Sequence, residues 1–322
     1  MMLATTPRQE SSQIARDVRE ALSRTPQREL PAQYFYDDVG SALFEAITRI
    51  PEYGLTRADE RLLRAHAAEI VAKMPSPTVV AELGSGTGRK TRWLLEALAQ
   101  REYALYYPID VSGAALQECT LELAPIDSVR VTGIEASYLD GLREVAMRRS
   151  RGEALLLLFL GSTIGNFDRP SCQRFLCDVR RHLQPGDAML LGTDLVKPVS
   201  RLLDAYDDPA GITAAFNLNL LSRLNRELGG NFDLRRFRHE VRYNAVHRRI
   251  EMHLRSTAEQ HVTIQAIGLE FTLRQGETIW TESSHKFTPE DIDELAEGAG
   301  YRRSAQWIDE EWPFAESLLA VE

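Results

Sequence analysis

The chain has 322 residues, of which 43% are hydrophobic and 26% are charged, and its formal net charge at pH 7 is −9. This length and composition predict a globular protein with a sizeable core in two lobes, and they exclude a disordered chain. The negative charge argues against a nucleic-acid partner, because such binding takes much of its affinity from Lys and Arg neutralising phosphates. We therefore expect a small-molecule partner.

The cysteines and the apolar segments indicate the compartment. The chain has three cysteines, Cys119, Cys172 and Cys177, which is an odd number, and their spacing is not that of metal ligands. Neither a metal site nor a disulfide scaffold is therefore expected. The first residues lack the apolar core of a signal peptide, and no later stretch reaches about 18 uninterrupted apolar residues. We expect a cytoplasmic protein without membrane contact, and a monomer is favoured.

The first half of the chain has the pattern of a doubly wound α/β domain. Residues 60–73 carry an apolar stripe at helical spacing, and a short apolar run then ends at Glu82, followed by glycines and a second helical pattern. Such apolar runs alternating with helices indicate a parallel sheet buried on both faces. Further strands are predicted at Tyr106–Asp110, Ala154–Leu160 and Ala188–Gly192.

After Pro198 the periodicity changes. A helix is predicted near 211–228, followed by segments typical of antiparallel strands around Val241–Tyr243, Arg249–Leu254 and His261–Leu269. We interpret 199–285 as an insertion, after which one helix and one strand, within about 289–322, return to the sheet. The predicted domains are therefore 60–198 with 286–322, and 1–59 with 199–285.

The loop after Glu82 contains Gly84, Gly86 and Gly88, which let the backbone approach a ligand where a Cβ would collide. The spacing is GxGxG, not the GxGxxG of dinucleotide enzymes, which place a pyrophosphate at the helix N-terminus. Glu82 or nearby carbonyls could take an amine, and Asp110 could accept both ribose hydroxyls. These features favour S-adenosylmethionine over a nicotinamide cofactor for hydride transfer.

Seven sequence blocks, in order along nearly the whole chain, carry a family resemblance. The chain closely resembles the histidine Nα-methyltransferases of ergothioneine biosynthesis, whose fungal relatives methylate a prenylated tryptophan. The blocks are Tyr34–Phe44, Ile50–Arg57, Glu82–Thr91, Gly161–Phe167, Asp204–Asn217, Ile250–Met252 and Thr281–Phe287.

The resemblance implies a Rossmann-like class I methyltransferase domain and a second α+β substrate-binding lobe, with the substrate between them. It implies cofactor contacts at Gly84, Lys90 and Asp110, and places Tyr36 close to both ligands. It also implies that these residues surround the amino acid: Tyr53, Gly161, Asn166, Tyr206, Thr213, Met252, Glu282 and Ser284.

Residue chemistry gives these positions roles. Glu282 and Ser284 are two apart on a predicted strand, so they point to one side and can hold an imidazole through two hydrogen bonds. Asn166 can serve an α-amino group or a carboxylate, and the phenols of Tyr53 and Tyr206 can bind carboxylate oxygens.

The predicted chemistry is transfer of a methyl group to the neutral α-amine of histidine. Tyr36 and Asn166 are the predicted catalytic residues, although water could equally take the proton. Aromatic faces at Tyr36, Phe44 and Tyr206 could stabilise a quaternary ammonium by about 0.5–2 kcal/mol, which permits trimethylation to hercynine.

Two positions depart from the family pattern, and two other functions stay open. Gly54 replaces an expected aromatic residue, which predicts a wider entrance. Ser137 and Tyr138 align with an acidic–aromatic pair that contacts adenine, but Ser137 cannot supply the charge. The alternatives are a methyltransferase for another amino acid, such as tryptophan or tyrosine or a derivative, and a catalytically inactive binding module.

Overall fold

The computed structural model describes residues 7–321 of the chain. In chain order the helices and strands are α1 (Pro7–Leu22), β1 (Arg28–Glu29), α2 (Asp38–Ile47), α3 (Leu55–Ala72), β2 (Thr78–Leu83), α4 (Arg92–Ala99), β3 (Ala104–Asp110), α5 (Gly113–Leu123), β4 (Val129–Val131), β5 (Ile134–Glu135), α6 (Tyr138–Arg148), β6 (Ala154–Phe159), α7 (Arg169–Arg180), β7 (Ala188–Asp194), α8 (Val199–Tyr206), α9 (Ile212–Leu228), β8 (Phe237–Asn244), β9 (Arg249–Ser256), β10 (Gln260–Ile264), β11 (Leu269–Leu273), β12 (Thr278–His285), α10 (Pro289–Gly298), β13 (Tyr301–Asp309) and β14 (Phe314–Val321).

The chain divides into two compact units. The first unit comprises Met1–Tyr53 and Lys197–Ser284, and the second comprises Gly54–Val196 and His285–Glu322. Each change of unit falls between one and six residues before the boundary predicted from the sequence.

The second unit is built on one large sheet with the strand order β13-β14-β7-β6-β2-β3-β4, and β5 pairs with β3. Strands β2 to β7 pair in parallel, as predicted for a doubly wound fold. Strands β2 and β6 are buried along their whole length, which explains their uninterrupted apolar sequences. The predicted α/β class is confirmed by this sheet.

The carboxyl-terminal segment differs from the prediction of one helix and one strand. Helix α10 is followed by two strands, β13 and β14, which pair antiparallel, and β14 lies antiparallel to β7. The turn between them contains Trp312 and Pro313, and Trp312 N–H donates to Asp309. This turn lets the chain reverse direction, so the single predicted segment forms a hairpin.

The first unit contains a sheet of order β1-β12-β9-β8 and a separate hairpin, β10-β11. The predicted strand at 261–269 is wrong as a single segment, because β10 ends at Ile264 and a 3-10 turn over Gln265–Ile267 follows. Gly268 then has a φ of +55°, a conformation that favours glycine and redirects the chain into β11.

Helix α2 begins directly after the turn that holds Tyr36. Asp37 caps the helix by accepting the N–H of Gly40, 2.8 Å away. A Cβ at Gly40 would lie 1.7 Å from the carbonyl oxygen of Phe35, so only glycine fits there. Between residues 7 and 321, no helix combines the length and the apolar character that a membrane crossing requires.

Candidate active site

The glycine loop of the second unit follows β2 and is open on one side. Gly84, Gly86 and Gly88 all have positive φ angles, between +51° and +72°. A Cβ at Gly88 would lie 2.5 Å from the Sγ of Cys119, whereas a Cβ at Gly86 would meet no protein atom within 4 Å. The loop therefore packs against α5 at one end and leaves free space at Gly86, which fits a bound nucleoside.

Asp110 ends β3 beside this loop. Its carboxylate accepts the Gly86 N–H at 3.1 Å and the Ser112 N–H at 2.9 Å. These two bonds fix the carboxylate against the glycine loop, as the predicted ribose contact requires. The side chain stays partly exposed.

Glu82 lies beneath the loop and is 2% exposed. Burial raises the pKa of its carboxyl to about 7, although hydrogen bonds from the hydroxyls of Thr91 and Tyr106 oppose this shift. In the structure Glu82 thus bonds to protein groups that support the loop. Its predicted contact with a cofactor amine stays a prediction.

Lys90 follows the glycine loop, and its side chain is 24% exposed. Its ammonium donates a hydrogen bond to Asp59 on α3, and the same carboxylate accepts the Gly161 N–H at 3.0 Å. Burial lowers the pKa of Lys90, but the charge and hydrogen bond of Asp59, together with the nearby Glu82 and Glu316, hold the pKa above its ordinary value. A predicted cofactor residue and a predicted substrate residue therefore share one buried partner.

Asp59 was missed in the sequence, although a signal for it exists. It lies on the apolar stripe of α3, four residues after Leu55 and four before Leu63, both of which are buried. A charged residue on such a stripe indicates a buried partner.

Asn166 ends the 3-10 helix Thr163–Asn166 in the loop after β6. The loop begins with two left-handed residues, Gly161 at φ +69° and Ser162 at φ +57°. Ser162 Oγ accepts the N–H of Asp194 at 2.9 Å, and the Gly165 carbonyl contacts the ring nitrogen of His285 at 2.9 Å. These contacts hold the segment that carries Asn166.

The two residues predicted near adenine, Ser137 and Tyr138, have different surroundings. Tyr138 reaches the glycine loop, since a Cβ at Gly84 would lie 3.1 Å from its hydroxyl oxygen. Burial raises the pKa of Tyr138 to about 12. Ser137 instead caps α6 and donates to the carboxylate of Asp140 at 2.7 Å.

Gly54 does not leave an empty space in the second unit. A Cβ there would lie 2.3 Å from the indole ring of Trp312, which is 4% exposed. The indole N–H of Trp312 donates to Asp194 at 2.9 Å. Trp312 therefore fills the space beside Gly54 within the second unit, and the wider entrance stays a prediction.

The first unit gathers aromatic rings around Tyr36. Its ring centroid lies 5.6 Å from that of Phe44 and 5.8 Å from that of Phe216, both in edge arrangements. Phe35 stacks on the other side of Phe216 at 4.5 Å. Phe216 was not predicted as a site residue, although it lies in one of the sequence blocks.

Tyr206, at the end of α8, connects two predicted substrate residues. Its hydroxyl donates to Ser284 Oγ at 2.7 Å, and its ring contacts Tyr53 edge-on with 6.0 Å between centroids. Ser284 is 5% exposed, whereas Glu282, two residues earlier on β12, is half-buried. The alternation of β12 places both side chains on the same side of the strand.

His239 supports Tyr206 from β8 and was also missed in the sequence. Its Nε2 lies 2.8 Å from the Tyr206 carbonyl oxygen, and its Nδ1 lies 2.8 Å from the amide nitrogen of Asn217. Because a carbonyl only accepts and an amide nitrogen only donates, the ring is neutral with its proton on Nε2. Burial also lowers the pKa of His239, which agrees with a neutral ring.

Thr213 and Met252 are both buried in the first unit. The Thr213 N–H donates to Asp208 at the start of α9, and the Met252 carbonyl accepts the Thr281 hydroxyl at 3.0 Å. Over the part of the chain that the structure describes, no cluster of His, Cys, Asp and Glu could hold a metal ion.

Comparison with known proteins identifies relatives that match nearly the whole chain. The chain is 44% identical to the histidine N-alpha-methyltransferase of Mycolicibacterium smegmatis over 308 residues, covering 95% of this chain and 94% of that protein. The Mycobacterium tuberculosis enzyme of the same name is 42% identical, at 95% and 94% coverage. Ergothioneine biosynthesis protein 1 of Neurospora crassa is 32% identical over 87% of this chain and 32% of its own length.

The family model of histidine-specific, SAM-dependent methyltransferases matches residues 14–321, nearly the whole described chain. This match confirms the predicted S-adenosylmethionine dependence and the predicted enzyme class. The chain belongs to the family of histidine-specific, S-adenosylmethionine-dependent methyltransferases.

Proposed function

We propose that this enzyme transfers methyl groups from S-adenosylmethionine to the α-amino nitrogen of free L-histidine, and that it does so up to three times to give hercynine. The observation that carries the proposal is the bonded pair of Tyr206 and Ser284, with Glu282 on the same side of β12. Two relatives that are 44% and 42% identical to the chain are histidine N-alpha-methyltransferases, which supports the same substrate.

The proposed cofactor residues lie in the second unit. Gly84, Gly86 and Tyr138 would border the nucleoside, Asp110 would accept the ribose hydroxyls, and Lys90 would pair with the methionine carboxylate. The open side of Gly86 and the two backbone bonds that fix Asp110 support these roles. Glu82 and Ser137 are proposed to support the cofactor site indirectly. Glu82 would hold the glycine loop in place, and Ser137 would hold the start of α6, which carries Tyr138.

The proposed amino-acid residues serve recognition. Glu282 and Ser284 would hold the imidazole by two hydrogen bonds, and Tyr53, Tyr206 and Asn166 would bind the amino-acid end. A site that hydrogen-bonds its substrate rejects analogues without the matching groups by up to about 10⁴-fold, because its buried polar atoms are left unpaired. Tryptophan should therefore be a poor substrate.

Further proposed contacts complete the amino-acid site. Thr213 and Met252 would pack around the substrate, since both are buried in the first unit. Gly161, whose N–H is bound by Asp59, would border the amino acid beside Asn166.

S-adenosylmethionine supplies an electrophilic methyl group when bound, so the residues of the chain mainly align the neutral amine with it. Before each of the three transfers the ammonium must lose a proton, either to water or through Tyr36, because only the neutral amine can attack the methyl group. The third transfer leaves a fixed positive charge, and the rings of Tyr36 and Phe44 offer faces that favour a cation. Their packing with Phe216 supports this role.

The test is a substrate panel with mass spectrometry. Purified protein is incubated with S-adenosylmethionine and with histidine, tryptophan or tyrosine in separate reactions. Histidine should gain one, two and then three methyl groups. The proposal fails if tryptophan or tyrosine is methylated and histidine is not, and binding of both ligands without turnover would instead support an inactive binding module.

We also propose that the enzyme acts in the cytoplasm as a monomer, without a nucleic-acid or membrane partner. The free thiols of Cys119, Cys172 and Cys177 support a reducing compartment. Light scattering after gel filtration should give the mass of one chain, and a stable dimer at micromolar concentration would contradict this part of the proposal.

A further inference from the structure

A cluster of ionisable groups, most of them buried, lies in the second unit next to the glycine loop. Asp59 on α3 and Glu316 on β14 are both 0% exposed. Lys90 and Glu82 complete the cluster from the segments on either side of the loop. The proposed reaction assigns no role to Asp59 or Glu316.

Asp59 uses one carboxylate oxygen for two donors. Its Oδ2 accepts the Lys90 ammonium and the Gly161 N–H, the latter at 3.0 Å. Its Oδ1 is buried and has no hydrogen-bond donor among residues 7–321. A buried carboxylate oxygen without a donor is costly, so a donor is expected at this point.

Glu316 can supply that donor. Neither of its buried carboxyl oxygens receives a hydrogen bond from the residues that the structure describes, and the group faces Asp59. Two fully buried carboxylates that face each other do not both stay ionised, and one proton between them makes a hydrogen bond. Because Asp59 already accepts the Lys90 ammonium and the Gly161 N–H, Asp59 is the ionised partner and the proton lies on Glu316. Burial and the neighbouring Asp59 raise the pKa of Glu316 well above its ordinary value, in the same direction.

We propose that Asp59 is a positioning residue for cofactor binding, hydrogen-bonded by Glu316 and fixing Lys90 and the Gly161 backbone in place. The inference rests on the cofactor contact of Lys90 in the proposed function. A lysine side chain is flexible and has three N–H donors. Asp59 takes one of them, which orients the other two toward a ligand carboxylate and prevents the ammonium from turning away.

Asp59 also connects the proposed cofactor contact at Lys90 with the proposed substrate contact at Gly161. Gly161 begins the loop that carries Asn166, and its positive φ leaves the N–H as the group that Asp59 can hold. Asp59 therefore fixes the start of this loop and the Lys90 ammonium through one oxygen atom.

The first test replaces Asp59 with Asn, which keeps the shape and removes the charge. S-adenosylhomocysteine binding, measured by calorimetry, should weaken by about tenfold or more, because Lys90 loses a charge-assisted hydrogen bond. KM for S-adenosylmethionine should rise similarly, while kcat with histidine changes less than about threefold. Unchanged affinity for S-adenosylhomocysteine would overturn the inference.

A matched control separates positioning from stability. Asp309→Asn removes the charge from another carboxylate that pairs with α3, through Arg61 at 2.7 Å. It should lower Tm without weakening S-adenosylhomocysteine binding. If Asp309→Asn weakens binding as much as Asp59→Asn does, the effect belongs to the stability of α3 and the inference fails.

The second test uses pH and does not depend on the folding of Asp59→Asn. The groups that face Glu316 are Asp59 from α3, Lys90 before α4 and Glu82 from β2. Ionisation of Glu316 at alkaline pH removes the donor to Asp59, so wild-type affinity for S-adenosylhomocysteine should fall as pH rises. In Glu316→Gln, which donates at every pH, this fall should be absent. Identical profiles for the two proteins would contradict the pairing.

Failure of the proposed function would give a different result. If wild-type protein binds S-adenosylhomocysteine in an Asp59-dependent manner but does not methylate histidine, the substrate assignment is wrong and the positioning role stands. If histidine is methylated and Asp59→Asn binds S-adenosylhomocysteine normally, the substrate assignment stands and the positioning role of Asp59 is wrong.

Discussion

The two units differ in how their buried polar groups are satisfied. Near the glycine loop of the second unit the buried groups are charged or titratable, as with Asp59, Lys90 and Glu82. In the first unit the bonds that hold Tyr206 come from neutral groups, the Ser284 hydroxyl and the His239 ring. Charge therefore dominates the surroundings of the glycine loop, whereas Tyr206 is held by neutral hydrogen bonds and aromatic contacts, with the half-buried Glu282 on the same side of β12 as Ser284.

This difference matches the chemistry proposed for each unit. S-adenosylmethionine carries three charged groups, so preorganised charges next to its loop contribute directly to binding. The imidazole of histidine and the quaternary ammonium of the product need oriented hydrogen bonds and ring faces, with Glu282 as the proposed charged partner of the imidazole. We expect pH and charge substitutions in the second unit to act mainly on cofactor binding and on the stability of that unit, and substitutions in the first unit, including that of Glu282, to act on histidine.

The largest expected effect is the pH dependence of stability caused by Glu82. Burial raises its pKa in the folded protein to about 7 from an ordinary 4.5. The stability that the protonated group contributes is complete below pH 4.5 and is lost as pH rises through 7. In Glu82→Gln this loss should disappear, a difference of about 3 kcal/mol across that window at roughly 1.4 kcal/mol per pKa unit.

Urea unfolding of wild type and Glu82→Gln between pH 4.5 and 8 measures this difference. Glu118→Gln, at an exposed position on α5, is the matched control and should follow the wild type. Parallel stability curves for wild type and Glu82→Gln would show that the carboxyl does not titrate in this window, and the charge-based account of the loop would fail.

Asp110→Ala should have the next largest effect. It removes the acceptor for the Gly86 and Ser112 N–H groups and the proposed ribose contact. Charge-assisted hydrogen bonds contribute about 1.5–3 kcal/mol each, so S-adenosylhomocysteine affinity should fall by about 100-fold. Calorimetry should show no such loss in Asp127→Ala, an exposed control, and unchanged affinity in Asp110→Ala would rule out the ribose role.

Glu282→Ala tests whether a substitution in the first unit affects histidine and leaves cofactor binding unchanged. Loss of one charged hydrogen-bond partner should raise KM for histidine by about 30-fold, with S-adenosylhomocysteine affinity changed less than about threefold. Glu270→Ala, exposed on β11, serves as the control and should leave both values unchanged. Equal losses for both ligands would contradict an imidazole role for Glu282.

The sequence predicted the fold class and the position of the glycine loop because those features are local. Strands β2 and β6 are continuous apolar runs, and the glycines have a fixed spacing after β2. The final hairpin was not predicted, since the turn at Trp312 depends on its bond to Asp309 and its contact with Gly54.

The residues that support the site were the hardest to predict. Asp59 and Glu316 are far apart in sequence and meet only in the folded second unit, and His239 reaches Tyr206 across 33 residues. Nothing in a single sequence encodes such pairings, except that a charged residue on an apolar stripe, as at Asp59, indicates a buried partner. The family resemblance gave the residues proposed to touch ligands and did not give their supports.

The smallest expected effect comes from removing the hydrogen bond between Tyr206 and Ser284. Tyr206→Phe and Ser284→Ala each remove one partner of the same 2.7 Å bond, so each should raise KM for histidine by about fivefold. If the bond orients both groups toward histidine, the double variant should be about as impaired as either single one, because the second substitution removes nothing more. The pH dependence of KM between pH 6 and 8 should match that of wild type in each variant, because neither substitution introduces an ionisable group. Independent, multiplying losses would mean that Tyr206 and Ser284 act separately, and a pH dependence that differs from that of wild type would contradict the contrast between the charged surroundings of the glycine loop and the neutral bond of Tyr206.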